Sequence, residues 1–187
     1  MAQGIVELRN VELGCVDLST PTNLFLQMTG ATRCDSEMLD FAKNIVVVRD
    51  RQHIALLSEY ILQKILYQPE STSVQTTAIE AFHAGQGVCQ DHAHILIAMC
   101  RALQLPARYV SGYLFDQNYP HLASHAWAEV FLENQWYCFD VSNQLFTPKH
   151  HIYLAVGRDY LDVAPIRGIR EQGGVENMMS VVQVLAC

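Results

Sequence analysis

The thiol of Cys89 is the group in this sequence whose surroundings most strongly indicate chemistry. Cys89 follows a glycine at position 87, opens a stretch of helical periodicity, and is followed by the polar run Gln90-Asp91-His92. A helix N-terminus stabilises negative charge, and a cysteine there is more readily a thiolate. The alternative is a buried core cysteine, a common environment for a free thiol. The polar neighbours favour a nucleophile, and we predict that the Cys89 backbone N–H is one donor of an oxyanion hole.

A cysteine nucleophile needs a base, and His125 is the best candidate. It begins a stretch of strand-like alternation, precedes Trp127, and lies among small and apolar residues. If residues 133–134 form a two-residue hairpin turn, Trp127 opposes Asp140, and His125 is then a diagonal neighbour of Asp140 on the same face. A turn one residue longer would place Asp140 on the opposite face. We therefore predict a catalytic triad of Cys89, His125 and Asp140, in which Asp140 orients the imidazole.

For other polar side chains the sequence gives less support for a role in the site. Gln86 and Gln90 are candidates for the second oxyanion donor, although surface glutamines are common. Asp91 is expected to stabilise the helix start, with an indirect role beside Cys89 as the alternative. Trp127 is expected to shield the triad from water. Two further sets of residues are either solvated surface or a wall of the substrate cleft: Tyr109, Ser111 and Tyr113 on one strand, and Arg158, Asp159 and Tyr160 in a loop.

The histidine pairs do not indicate a metal site. In His92-Ala93-His94 the two imidazoles are two positions apart, and on a helix such side chains point away from each other. The pair His150-His151 has no HExxH pattern or paired cysteines near it. We predict no metal and no cofactor.

Hydrophobic periodicity predicts the elements that must position these residues. Helices are expected from an N-cap at Asp35, over 54–65 up to Pro69, from a Thr77 to Glu80 capping box to Gly85, and from about Cys89 to Pro106, with a tight bend at 86–88. Alternating patterns predict strands over 109–115, 125–132, 135–139, 152–156 and 179–186, and a weaker one over 5–13. Helices followed by a mostly antiparallel sheet give an α+β fold.

Composition narrows the class of protein. The chain has 187 residues, 50% of them hydrophobic, and this length and composition fit one folded domain. Its formal charge of -7 disfavours nucleic acid and anionic membranes as partners. The apolar stretches are shorter than the roughly 20 residues of a membrane span. Six cysteines without paired spacing suggest a reducing compartment. We expect a soluble, cytoplasmic protein.

Six strings follow one another in order along the chain: Gly87-Val88-Cys89-Gln90-Asp91-His92-Ala93-His94, Leu105-Pro106-Ala107-Arg108-Tyr109-Val110-Ser111-Gly112-Tyr113, His125-Ala126-Trp127-Ala128-Glu129-Val130, Phe139-Asp140, Ala155-Val156-Gly157-Arg158-Asp159-Tyr160 and Ala164-Pro165-Ile166-Arg167-Gly168. Together they resemble the transglutaminase-like superfamily, and more narrowly its bacterial branch. The resemblance covers about residues 35 to 187, and Val141-Ser142 stands where the family usually has Pro-Thr after its aspartate.

The resemblance implies a papain-like transglutaminase core over 35–187, preceded by an abbreviated strand and loop segment over 1–34. It implies Cys89 as nucleophile, His125 as base and Asp140 as the orienting residue, which matches the assignment made from the residues. The expected activity is acyl transfer from a peptide or protein amide through a thioester.

Hydrolysis is favoured over transfer to an amine, because no calcium site is visible and bacterial relatives are commonly thought proteolytic. The alternatives are a catalytically silent peptide-binding module and an acyltransferase that uses a small thioester donor. A homo-oligomer, or a partner subunit that covers the short N-terminus, is compatible with the sequence.

Overall fold

The computed structural model describes residues 5–7, 19–115 and 124–164 of the chain. Helices dominate the first half of this part, and an antiparallel sheet dominates the second. In chain order the elements are a 3-10 helix (Thr22–Leu26), α1 (Ser36–Ile45), α2 (Arg51–Lys64), β1 (Leu66–Tyr67), α3 (Ala78–Ala84), β2 (Gln86–Gly87), α4 (Cys89–Ala102), β3 (Ala107–Leu114), β4 (His125–Leu132), β5 (Gln135–Phe139), β6 (His151–Gly157) and α5 (Tyr160–Val163).

The helix boundaries follow from local capping chemistry. The Asp35 side chain accepts a hydrogen bond from the Met38 backbone N–H and begins α1, as predicted. The capping box at Thr77 and Glu80 begins α3, and Gly85, in the left-handed region at φ 67°, ends it. These three predictions are confirmed.

Four strands form the main sheet, in the order β5-β4-β3-β6, with every neighbouring pair antiparallel. The β4–β5 hairpin turns at Glu133 and Asn134, whose φ angles of 51° and 64° are those of a type I′ turn. Leu132 therefore pairs with Gln135, and the predicted register is confirmed along the whole ladder. A separate pair of short parallel strands, β1 and β2, brings Tyr67 beside Gly87, two residues before Cys89.

Helix α4 lies at the centre of the fold. Every residue from Gln90 to Arg101 is buried, because α4 packs on β4 with one side and on α1, α2 and α3 with the others. A helix that is covered all round must be apolar over most of its length. Ile95, Leu96 and Ile97 are each fully buried, and burying one such side chain contributes about 1.5–3 kcal/mol. The catalytic candidate Cys89 therefore begins the most firmly packed helix of the described chain.

Some sequence predictions of elements were wrong or lie outside the described residues. Residues 86–87 form strand β2 rather than a tight bend. Helix α2 was predicted correctly, because it ends at Lys64, one residue before the predicted bound and ahead of Pro69, where the chain enters β1. The 3-10 helix at Thr22–Leu26 was not predicted. The strand predicted over 179–186 and most of the one over 5–13 fall outside the described part of the chain.

The α+β class is confirmed by this arrangement of helices and antiparallel strands. Within the described residues no helix combines the length and apolar character that crossing a bilayer requires. The segment before Asp35 also contributes to the core, because Phe25 packs edge-to-face on Trp136 with ring centroids 5.3 Å apart.

Candidate active site

Cys89 is the first residue of α4, and the chain that leads into it is held tightly. The Oδ2 atom of Asp91 accepts hydrogen bonds from the Val88 backbone N–H at 2.8 Å and from the Thr72 hydroxyl at 2.6 Å. A Cβ on Gly87 would lie 2.7 Å from the Cβ of Asp91. Only glycine at position 87 therefore allows the carboxylate of Asp91 to close over the helix start, as expected of a residue that stabilises this turn.

His125 and Asp140 meet at the ends of the β4–β5 hairpin. Nε2 of His125 lies 2.7 Å from Oδ2 of Asp140, and the Asp140 side chain is fully buried. With Nε2 facing Asp140, Nδ1 is the ring nitrogen left for Cys89, and a hydrogen bond joins the His125 and Cys89 side chains. The structure thus brings the three predicted residues together in the order thiol, imidazole, carboxylate.

The electrostatics of this cluster favour an ion pair. Burial alone would lower the pKa of His125, but hydrogen bonds and charges from Asp140 and Cys89 outweigh burial and raise the pKa from 6.5 to about 9. Burial would raise the pKa of Asp140, yet the hydrogen bonds from His125, His151 and Asn143 hold it well below its usual range. At neutral pH the pair is imidazolium and carboxylate. An imidazolium beside Cys89 stabilises negative charge on the sulfur.

A second histidine, His151, contacts the same carboxylate and was not predicted as a site residue. Its Nε2 lies 3.1 Å from Asp140 Oδ2, and its side chain is fully buried. Trp127 packs against both imidazoles, with ring centroids 5.9 Å from His125 and 4.6 Å from His151. Trp127 is itself fully buried, and its role in shielding the triad from water stays a prediction. A buried histidine in a strand has no sequence pattern that marks this role.

Asn143 was also missed. It lies in the turn after Asp140, and its side-chain amide donates to Asp140 Oδ2 at 3.0 Å while its backbone N–H donates to Oδ1 at 3.2 Å. The turn therefore wraps around the carboxylate. The local spacing of three residues is the signal that could have found it, because aspartates commonly accept such bonds from the backbone that follows them.

The same turn is tied to α4 through His92. The His92 ring is fully buried, with Nδ1 2.9 Å from the Ser142 hydroxyl and Nε2 3.1 Å from the Ile65 carbonyl oxygen. Because the carbonyl can only accept, Nε2–H donates to Ile65 and the Ser142 hydroxyl donates to Nδ1. His94 instead accepts a hydrogen bond from the Tyr160 backbone N–H. The two histidines thus have separate partners, as the sequence analysis expected.

Among the described residues, three of these side chains also form a group that could hold a metal ion. His125, Asp140 and His151 each offer one ligand atom, and these atoms lie within 4.8 Å of one another. In the present geometry both imidazole Nε2 atoms face one carboxylate oxygen through hydrogen bonds, and an ion would have to displace both protons. The expectation of no metal stays a prediction.

A cleft of about 230 Å³ opens beside Cys89 and His125. Burial, together with the charges of Cys89 and Asp140, raises the pKa of Tyr67, and its phenol therefore stays a neutral hydroxyl at the cleft. The lining of the cleft combines one aromatic, one aliphatic and several small polar side chains: Tyr67, Cys89, Leu114, Ser124, His125, Ser142 and Asn143.

The two glutamine candidates for an oxyanion hole do not belong to this cleft. Gln90 is buried, and its amide lies 3.4 Å from the Ser73 carbonyl oxygen. Gln86 is exposed on β2. Neither residue is part of the cleft lining described above. The backbone N–H of Cys89 at the start of α4 keeps the position expected for one donor.

Several of the strand and loop residues considered as a wall of the cleft have structural contacts elsewhere. Tyr109 is buried against His94, with ring centroids 5.0 Å apart, and is therefore core rather than solvated surface. In the loop, Asp159 caps α5 by accepting from the Leu161 and Asp162 backbone N–H groups. Arg158 forms a two-pronged ion pair with Asp162.

The other described cysteines are less suited to nucleophilic attack than Cys89, which lines the cleft. Burial and the charge of Asp35 raise the pKa of the Cys34 thiol to about 11. Burial raises the pKa of Cys100 to about 12 and that of Cys138 well above its ordinary value. These thiols remain protonated at neutral pH.

A family model and several known proteins match this chain. The sequence model of the Transglutaminase-like superfamily matches residues 41–141, which include all three triad positions. An uncharacterized protein of Mycobacterium leprae is 31% identical over 166 residues, which are 85% of this chain and 59% of that protein. An uncharacterized protein of Mycobacterium tuberculosis is 38% identical over 125 residues, which are 60% of this chain and 40% of that protein.

Among solved structures, the crystal structure of a candidate cysteine protease from Cytophaga hutchinsonii is similar to this chain. The TM-score is 0.66 and the identity 29%, and the match covers 79% of this chain and 51% of that chain. This chain therefore spans about half the length of the proteins it matches. The fold expected from the sequence resemblance is confirmed by these matches.

Proposed function

Because this chain belongs to the Transglutaminase-like superfamily, a superfamily of cysteine peptidases and acyltransferases, we propose that it is a cysteine-dependent enzyme that cleaves peptide or protein amides through a thioester. The observation that carries the proposal is the contact series from Cys89 through His125 to the buried carboxylate of Asp140. We further propose that its acceptor is water and that it acts in the cytoplasm without a cofactor.

The acylation step starts from Cys89 as a thiolate beside the imidazolium of His125. The Cys89 thiolate attacks the carbonyl carbon of the amide and forms a carbon–sulfur bond, while the charge that develops on oxygen faces the N-terminus of α4. His125 then donates its proton to the departing amine nitrogen as the carbon–nitrogen bond breaks. The products are a free amine and an acyl group on Cys89. His125 is left neutral and Asp140 remains ionised.

The second step regenerates the enzyme. Neutral His125 takes a proton from water, the resulting hydroxide attacks the thioester carbonyl, and the carbon–sulfur bond breaks. Cys89 leaves as thiolate, and His125 is again imidazolium. An amine that replaced water would give a new amide by the same route. The polar lining from Ser124, Ser142 and Asn143 admits water to the thioester and supports hydrolysis.

The experiment that tests the proposal uses a simple activated ester, p-nitrophenyl acetate. The Cys89 thiolate should displace p-nitrophenolate, so that an acetyl group appears on the peptide that contains Cys89. The variant Cys89→Ala should carry no acetyl group there. Peptide mass spectrometry resolves this position from the other five cysteines of the chain.

Glutamine-containing peptides, offered with and without a labelled primary amine, then separate the two acceptors. Release of ammonia without incorporation of the label indicates hydrolysis, whereas incorporation indicates transglutamination. If Cys89 takes up no acetyl group while the chain is folded, the proposal fails, and a peptide-binding module that retains the fold becomes the better hypothesis.

A further inference from the structure

The imidazole of His151 faces the same carboxylate oxygen as the imidazole of His125. The two Nε2 atoms lie 3.1 Å and 2.7 Å from Oδ2 of Asp140. Both His151 and Asp140 are fully buried. Because a buried carboxylate is costly unless its oxygens accept hydrogen bonds, each donor on this atom helps to keep the carboxylate ionised.

The contacts of the His151 ring fix where its proton lies. Within the described residues, Nδ1 of His151 is buried and has no hydrogen-bond partner. A proton on Nδ1 would leave a buried N–H unsatisfied and point the lone pair of Nε2 at the carboxylate. A proton on Nε2 instead donates to Asp140 and leaves only an acceptor unpaired. The geometry therefore assigns the proton to Nε2.

Packing holds this ring in place across the sheet. His151 lies on β6 and His125 on β4, with β3 between them. The β3 residue that pairs with His125 is Gly112, where a Cβ would come within 2.8 Å of the Trp127 ring. The missing side chain lets Trp127 fill the space between the two imidazoles, with its ring in edge contact with His151.

We propose that His151 is a positioning residue of the triad, whose Nε2–H keeps the Asp140 carboxylate ionised and turned toward His125 when His125 gives its proton to the leaving amine. The proposal rests on the proposed acyl-transfer function. In that step the proton passes from His125 to the amine nitrogen, and His151 keeps its own proton. Asp140 then faces a neutral His125, whose Nε2–H still donates to Oδ2, and the other side-chain donors to its buried charge are His151 and Asn143.

Loss of this donor should change how strongly Asp140 holds the proton of His125. A carboxylate with fewer hydrogen bonds is more basic, so the pKa of His125 should rise by about one unit above its value of about 9. The neutral fraction of His125 at pH 7 then falls about tenfold, and hydrolysis of an acyl group on Cys89 slows in proportion. The titratable groups that face this cluster are His125 of β4, His151 of β6, Cys89 and His92 of α4, Tyr67 of β1 and Cys138 of β5.

The test compares two substitutions at one position. His151→Gln keeps an N–H donor at a similar reach, whereas His151→Leu has none. His150→Gln, at the exposed neighbouring histidine, is the matched control. In nitrogen-15 spectra of the histidines, the titration midpoint of His125 should rise by about one pH unit in His151→Leu, and should stay at the wild-type value in His151→Gln and in the control. A midpoint in His151→Leu that is unchanged or lower would overturn the proposal.

Deacetylation of Cys89 after reaction with p-nitrophenyl acetate supplies the kinetic readout. It should slow about tenfold at pH 7 in His151→Leu and recover with His151→Gln. A deacetylation rate in His151→Leu equal to that of wild type would count against the proposal. If wild-type Cys89 takes up no acetyl group, the proposed function fails, whereas the His125 titration still decides the role of His151.

The unmodified protein gives an independent test if His151→Leu does not fold. The nitrogen-15 shifts of His151 should show its proton on Nε2 at the pH where His125 is protonated. A proton on Nδ1 alone would leave nothing to donate to Asp140 and would overturn the proposal without any substitution.

Discussion

Asp140→Asn removes one negative charge while it keeps the size of the side chain, and so isolates what the carboxylate does for His125. The pKa of His125 is raised from 6.5 to about 9, which corresponds to roughly 3 kcal/mol of preferential stabilisation of the imidazolium. Asp140 supplies the larger share of this effect and Cys89 the remainder. Burial lowers the pKa of His125, and without the carboxylate this effect is no longer outweighed. The pKa of His125 should therefore return to about 6.5 or lower.

The consequence at neutral pH is a change in the resting state of the site. At pH 7.5 the imidazolium fraction of His125 should fall from above roughly 95% to roughly 10%. Alkylation of Cys89 by iodoacetamide should slow about tenfold, and acyl transfer should fall by about 10²–10⁴. The assays are the nitrogen-15 titration of His125 and mass-resolved alkylation of Cys89.

A matched control is the pair formed by Asp50 and His53. Asp50 accepts from His53 at 2.8 Å in a partly exposed aspartate–histidine pair at the start of α2. Asp50→Asn should leave the His125 titration and the Cys89 alkylation unchanged. If His125 in folded Asp140→Asn still titrates near pH 9, the carboxylate is not the cause of its raised pKa, and the electrostatic account of the site is refuted.

Three other perturbations have defined outcomes. Gly87→Ala forces a Cβ against Asp91 and should lower the free energy of unfolding in urea by about 1–3 kcal/mol. An unchanged midpoint of urea unfolding would contradict the close packing of Gly87 on Asp91. Ser142→Ala leaves the buried Nδ1 of His92 without its donor and should cost about 1–3 kcal/mol by the same measurement, whereas a cost near zero would count against the contact. His125 has a folded-state pKa above its unfolded value, so its contribution to stability is complete below about pH 6.5 and is lost as pH rises through about 9. The difference in melting temperature between wild type and His125→Gln should therefore shrink over that range. A difference that grows with pH would contradict the raised pKa of His125 in the folded state.

That Cys89, His125 and Asp140 come together could be predicted from the sequence, because each part has a local signal. Helical periodicity that starts at Cys89 placed the thiol at a helix N-terminus. The two-residue turn at Glu133 and Asn134 fixed the hairpin register, and the register placed His125 beside Asp140. Each inference used residues close together in the chain, where the rules of turns and strand pairs are strict.

The partners of the triad could not be predicted, because they depend on contacts between distant segments. His151 reaches Asp140 across β3, and no spacing in the sequence encodes that contact. Strand β2 was mistaken for a bend, since two residues carry too little pattern and their partner strand β1 precedes them by a whole helix. Gln90 looked like an oxyanion donor by its place beside Cys89, but helix geometry turns it toward Ser73.

The most direct test of the account is the rate at which iodoacetamide alkylates Cys89 at pH 6.5 in wild type and in His125→Ala, resolved by peptide mass spectrometry. The account predicts that wild-type Cys89 reacts at least about tenfold faster than Cys34, Cys100 and Cys138, whose pKa values are raised. His125→Ala should remove most of that advantage while the protein stays folded. Equal rates for Cys89 in the two proteins would contradict the central claim that His125 activates this thiol.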